Sequence, residues 1–211
     1  VQARPETIHS KAETSKMTVY KIDEVLTTKL KKEGRLIASG QAVGKRIGTG
    51  KVRLYRTYGE VLEGKRELRK LTDSGMSEEE ISAELKVFEK GDVLVTEMTT
   101  PDWEPLMKKS ALIITRKGGR TSHAAIIARE FGIPAIVGCS EAMDIPDMTE
   151  VTGSCAEGDI GYVYSGSVPF EIEEFSIDER EVLKTKIKLN VAFPTKSLAD
   201  TNLPVEGVGL A

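Results

Sequence analysis

The chain is poor in the side chains that build metal centres and disulfide frameworks. Among 211 residues there are two cysteines, Cys139 and Cys155, and two histidines, His9 and His123. Neither cysteine has metal-ligand spacing and the histidines lie far apart in sequence, so no zinc constellation is expected and both thiols read as reduced and buried. Amides are confined to Gln2, Gln41, Asn190 and Asn202, whereas lysine and glutamate are plentiful, a composition that hints at a heat-adapted source. A basic excess is also missing. The net charge of −3 and the pI near 5.6 argue against nucleic acid or a membrane surface as the main partner. No apolar run reaches transmembrane length and the N-terminus lacks a signal-peptide pattern, so a cytoplasmic location is expected.

With 39% hydrophobic and 30% charged residues, the chain can bury one good core and still leave segments for linkers or a small second unit. One stretch organises it. Lys117 to Cys139 reads as a glycine turn, a helix and a buried strand. Thr121 or Ser122 can act as N-cap, Gly132 stands where a left-handed cap residue belongs, and Pro134 forbids continuation. Ala124, Ile127, Ala128 and Phe131 fall at i, i+3, i+4 and i+7, which predicts one apolar face against a sheet.

His123 lies off that face, at the start of the helix. The first turn of a helix has unpaired N–H groups and a positive dipole end, which together favour an anion. Arg116, Lys117, Arg120 and Arg129 cluster around it in sequence, offset within this stretch by Glu130, so the local field favours a polyanion. A neutral imidazole there is a nucleophile toward phosphorus. An ordinary capping or surface histidine is the competing reading of the same residue.

Other segments carry less chemistry. Residues 10–34 are polar, with a short alternation at Thr18–Ile22, and read as a linker with a strand; His9, just before them, receives no role. Leu36 to Tyr55 reads as short strands punctuated by glycine. A phosphate loop fails there, because Gly40 to Lys45 is one residue short and Arg46 stands where Ser or Thr should bind magnesium. Thr57 to Glu89 is polar and helical, with a capping box of Ser77 and Glu80 ahead of Ile81, Leu85 and Phe88. Asp102 starts a short helix, and Trp103 reads as a core anchor. Ala111–Thr115 and Ile133–Val137 are buried strands flanking the His123 helix, which predicts a parallel crossover unit. Val151 to Tyr164 reads as a closing hairpin whose Cys155 and Asp159 are structural.

Gly118-Gly-Arg-Thr-Ser-His-Ala-Ala-Ile-Ile-Ala-Arg-Glu-Phe-Gly-Ile-Pro-Ala-Ile-Val-Gly138 resembles the phosphohistidine signature of the PEP-utilising enzymes. Val1–Thr7, Met98–Met107 with its Thr-x-Pro-Asp-Trp-Glu-Pro pattern, and Ser154–Tyr164 are similar to the synthase branch of that family, which makes phosphoenolpyruvate (PEP) from pyruvate. The resemblance implies an α/β fold: a swivelling phosphohistidine domain, a layered β/β/α sandwich with the active histidine at a helix N-terminus. It implies a tail of an ATP-grasp nucleotide domain at residues 1–9, a linker at 10–34 and the phosphohistidine domain at 35–168, with 57–89 a helical insertion. A second linker at 169–185 and the start of a PEP- and pyruvate-binding (β/α)8 barrel at 186–211 follow.

The implied reaction converts ATP, pyruvate and water to AMP, PEP and phosphate, with His123 taking the phosphoryl group from ATP and giving it to pyruvate. On this reading Gly118, Gly119, Arg120 and Ser122 support the phosphate. Thr121 matches the position that a regulatory kinase-phosphatase modifies. ATP and Mg2+ belong to the complete enzyme, with no metal held here, and the partners are the nucleotide domain and the barrel of the same chain. Homo-oligomerisation stays open. The alternatives are a pyruvate phosphate dikinase and a non-catalytic oligomeric scaffold built around the 57–89 segment.

Overall fold

The computed structural model describes residues 15–77, 87–177, 188–191 and 207–210. Two compact units divide the chain. The larger, Tyr20–Glu171, is built on seven strands: β2 (Leu36–Val43), β3 (Ile47–Tyr55), β4 (Val93–Thr96), β5 (Leu112–Thr115), β6 (Ala135–Val137), β7 (Glu150–Ser154) and β8 (Ile160–Ser165). Their order, β2-β6-β5-β4-β3-β7-β8, closes on itself because β2 pairs with both β6 and β8. The expected two-sheet sandwich is therefore one continuous barrel wall. Closure pairs the strand edges that an open sandwich would expose.

Layering survives within that closure. Strands β3, β4, β5 and β6 run parallel to one another, and β4, β5 and β6 are buried on both faces. Val93, Val95, Leu112, Ile114 and Ile136 point into the barrel interior, while Leu94, Ile113, Ala135 and Val137 point to a helical layer outside. That layer holds α4 (His123–Phe131), α3 (Glu104–Met107) and Val61 of α2 (Tyr58–Asp73). Trp103 is buried there as the anchor its sequence position predicts, edge-on to Tyr55 and Tyr58. Asp102 lies in a 3-10 turn, Pro101–Trp103, that leads into α3.

Glycines allow close strand approach where the sequence places them. A Cβ on Gly48 would strike the Ala111 carbonyl, and one on Gly50 the Gly91 carbonyl. The predicted closing hairpin is present as β7 and β8, paired antiparallel.

The polar segment 10–34 is not uniformly a linker. It contains β1 (Ser15–Lys21) and a capped helix, α1 (Glu24–Lys32), whose Asp23 side chain accepts from the N–H groups of Val25 and Leu26. Leu30 of α1 packs with Tyr164 and Val168, and Lys31 pairs with Glu157 at 3.2 Å. The helix is easy to miss in sequence because only Thr27 and Leu30 are buried. Helix α2 occupies the first half of the segment read as an insertion; the capping box of Ser77 and Glu80 and the helix it predicts fall mostly outside the described residues.

The second unit, Val1–Val19 with Ile172–Ala211, holds most of β1 and of β9 (Glu171–Ile177), which pair, and a parallel pair, β10 (Lys188–Val191) with β11 (Gly207–Leu210). Residues 1–14, including His9, lie outside the described residues. Among the described residues no helix is long and apolar enough to cross a membrane.

Candidate functional site

Strand β5, the loop 116–122 and α4 form the crossover unit that the apolar runs predict, and β5 pairs with β6 in parallel. His123 is the first residue of α4, half-buried. Gly132 ends the helix at φ 63°, and its N–H bonds back to Arg129. Of the predicted apolar face, Ala124, Ile127 and Ala128 are buried, joined by Ala125. Phe131 departs from it: at 37% exposure its ring lies under Lys108 Nζ, 4.6 Å from the centroid, so the cation covers a face that packing leaves open.

The loop ahead of His123 is fixed at both sides. The N–H groups of Arg116 and Lys117 continue the β4 pairing by donating to the carbonyls of Thr96 and Glu97. Gly118, at φ 113°, puts its carbonyl 3.0 Å from the point a Cβ on Gly138 would occupy. Gly119 lies beside Gln41 Oε1. Both predicted glycines thus stand where the chain turns tightly before the helix.

Ser122, not Thr121, holds the N-cap position, with φ −68° and ψ 160°, but its hydroxyl makes no capping bond. Thr121 is exposed. The Ser122 side chain does not cap α4, so among the described residues its first-turn N–H groups keep the anion-binding character of a bare helix terminus. Ser122 Oγ and His123 Nε2 at this terminus, Thr115 Oγ1 and Thr96 Oγ1 on the adjoining strand ends, and Thr99 Oγ1 are buried and without hydrogen-bond partners among the described residues. Sequence reading did not single out the three threonines. Their signal was available, since Thr96 and Thr115 end adjacent parallel strands on the edge where α/β sheets bind ligands.

The basic cluster is partly neutralised by residues distant in sequence. Glu97 takes Lys117 at 2.9 Å and Arg116 at 3.4 Å, and the hydrogen bond from Lys117 holds its carboxyl below the usual carboxylate range. Arg120 is held by Asp159 of the β7–β8 turn, which the turn motif alone had marked as merely structural. Arg129 donates to the Arg120 carbonyl at 2.6 Å. Cys139 and Cys155 are free and buried, and among the described residues no group of three His, Cys, Asp or Glu side chains could hold a metal ion.

Residues 88–158 match the family model described as the mobile domain of PEP-utilising enzymes. Over its whole length the chain is 43% identical to the phosphoenolpyruvate synthase of Aquifex aeolicus (strain VF5). It is 42% identical to the synthases of Pseudomonas aeruginosa (strain UCBPP-PA14) and Escherichia coli (strain K12). These alignments span 22%, 23% and 22% of the respective relatives, so the chain corresponds to less than a quarter of their length. A solution structure of an Enzyme I protein aligns over 35% of this chain and 31% of its own, at 32% identity and a TM-score of 0.30.

Proposed function

Since residues 88–158 match the model for the mobile domain of the PEP-utilising enzymes, we propose that this chain is the phosphoryl-carrier portion of a phosphoenolpyruvate synthase, with His123 as the carrier. The observation that carries the reading is the uncapped N-terminus of α4 with His123 as its first residue. An imidazole nitrogen attacks the β-phosphorus of ATP and displaces AMP, water then cleaves the terminal phosphate from the phosphorylated histidine, and the one phosphoryl group that remains comes to lie at that terminus. Phospho-His123 then passes it to pyruvate, and the overall change is ATP, pyruvate and water to AMP, PEP and phosphate.

The supporting residues have separate tasks. Gly118 and Gly119 let the backbone approach phosphate, Ser122 borders the helix terminus, and Arg120 supplies charge once it leaves Asp159. Thr121 is exposed beside the nucleophile, a position open to a regulatory kinase-phosphatase; a phosphate there adds about 1.5 to 2 negative charges and repels the nucleotide.

In this proposal residues 1–9 close an ATP-grasp nucleotide domain that holds ATP and Mg2+, and residues 186–211 open the barrel that holds pyruvate. The carrier swings between them on the segments before Tyr20 and after Glu171, where the compact unit ends.

Product analysis tests the reaction. The complete polypeptide that carries this domain, given ATP and pyruvate, yields AMP, PEP and free phosphate; a requirement for added phosphate with release of pyrophosphate contradicts the assignment.

A further inference from the structure

A serine with N-cap backbone geometry ordinarily accepts hydrogen bonds on its side-chain oxygen from the N–H groups of the first helical turn. Ser122 has that geometry and does not cap. Its side chain turns back: Oγ lies 3.0 Å from the point a Cβ on Gly118 would occupy, and Thr115 Oγ1 lies 3.9 Å from the same point. Both hydroxyls are buried and unpartnered among the described residues, as is that of Thr96. Thr96 is the register partner of Thr115 across β4 and β5, and both residues are 0% exposed. Strand alternation puts them on one face. Leu94 and Ile113 point to the helical layer, so Thr96 and Thr115, two residues further on, point there as well.

Leaving buried hydroxyls unpaired is unfavourable, and a polar space faced by several of them is where a protein holds an ordered water. Ser122 Oγ and Thr115 Oγ1 both flank the open position at Gly118, and a water between them would give each hydroxyl a partner. Gly118 keeps that space open by having no side chain. We propose that Thr115, backed by Thr96, is a positioning residue for the N-terminus of α4. With Ser122 it holds one bound water over Gly118, and this engagement keeps the Ser122 hydroxyl off the Ala124 and Ala125 N–H groups. Those donors then stay available to an oxyanion, here the phosphoryl group arriving at His123. The inference rests on reading α4 as a phosphoryl site, and it assigns the open state of that site to a residue on β5.

The test uses the 15N-labelled chain titrated with inorganic phosphate, following the amide signals of Ala124 and Ala125. In the parent protein both signals move and saturate. Thr115→Val keeps the shape and removes the hydroxyl. Ser122 then swings forward into an ordinary cap, the melting temperature rises by about 3 °C, and phosphate affinity at the two amides falls by about fivefold. Adding Ser122→Ala to Thr115→Val removes the competing cap and restores the response.

A Thr115→Val protein with unchanged phosphate affinity overturns the proposal, as does a double variant that stays weak or parent amides that never respond. Failure of the carrier reading is seen separately. If the amides follow this pattern while His123 never becomes phosphorylated, the terminus is an anion site controlled by Thr115 but not a carrier.

Discussion

Arg120 Nη2 stands 2.6 Å from Asp159 Oδ1, which ties the loop ahead of His123 to the turn between β7 and β8. Asp159 is 89% exposed and Arg120 47%, so solvent screens the pair and little stability depends on it. Asp159→Asn is expected to shift the unfolding free energy by less than about 0.5 kcal/mol, measured by urea denaturation. Arg120→Ala is equally mild for folding but slows phosphorylation of His123 by about tenfold, because a cation at the phosphoryl group is lost. Equal phosphorylation rates in the Arg120→Ala and parent proteins would remove Arg120 from the site.

The pair of Arg53 and Asp92 behaves oppositely. Their side chains are 5% and 10% exposed, Nε to Oδ2 is 2.9 Å, and Asp92 also accepts the Glu89 N–H. Asp92→Ala strands a buried guanidinium and is expected to cost about 3 to 5 kcal/mol. Denaturant midpoints of the variant and parent check this; a loss below about 1 kcal/mol would mean that water reaches Arg53.

How legible these features were in the sequence depended on how local they are. The α4 unit is written within one short stretch: the periodic apolar positions, Gly132 at φ 63° and the two flanking apolar runs all act on near neighbours. Barrel closure depends on β2 finding both β6 and β8, which alternation along one strand does not specify. Helix α1 escaped because its polar surface hides two buried positions, Thr27 and Leu30. The link from Arg120 to Asp159 and the unpartnered Thr96 and Thr115 likewise arise from segments that meet only in the fold. His123 was singled out by its sequence context, and the chemical roles of its neighbours are tested only by the variants described.

Alkaline pH gives a signed prediction. Burial pushes the thiols of Cys139 and Cys155 up to about 11 from 9.0. The native state therefore favours the neutral thiols. The associated stability is complete below pH 9 and is lost as pH rises toward 11. Unfolding free energy measured across that window should fall, and a variant carrying Cys139→Ala and Cys155→Ala should fall less steeply. Identical slopes would show that the thiols do not contribute.

Gly48 faces the Ala111 carbonyl so closely that a methyl group has no place there. Gly48→Ala should destabilise by roughly 3 kcal/mol, since the obstacle is backbone rather than a side chain that can turn away. Gly75→Ala, at φ 85° with open space around it, isolates the conformational part and should cost about 1 kcal/mol. Thermal melts of the two variants rank them, and the reverse order would contradict the packing described for β3.

The central claim is that His123 carries a phosphoryl group, and intact mass spectrometry measures it most directly. The complete polypeptide containing this domain is incubated with PEP and magnesium beside its His123→Ala variant, and each is then treated with acid. The account predicts one added phosphoryl group in the parent, lost in acid, and none in the variant. A folded, complete parent that gains no mass, or a variant that gains the same acid-labile group, would contradict it.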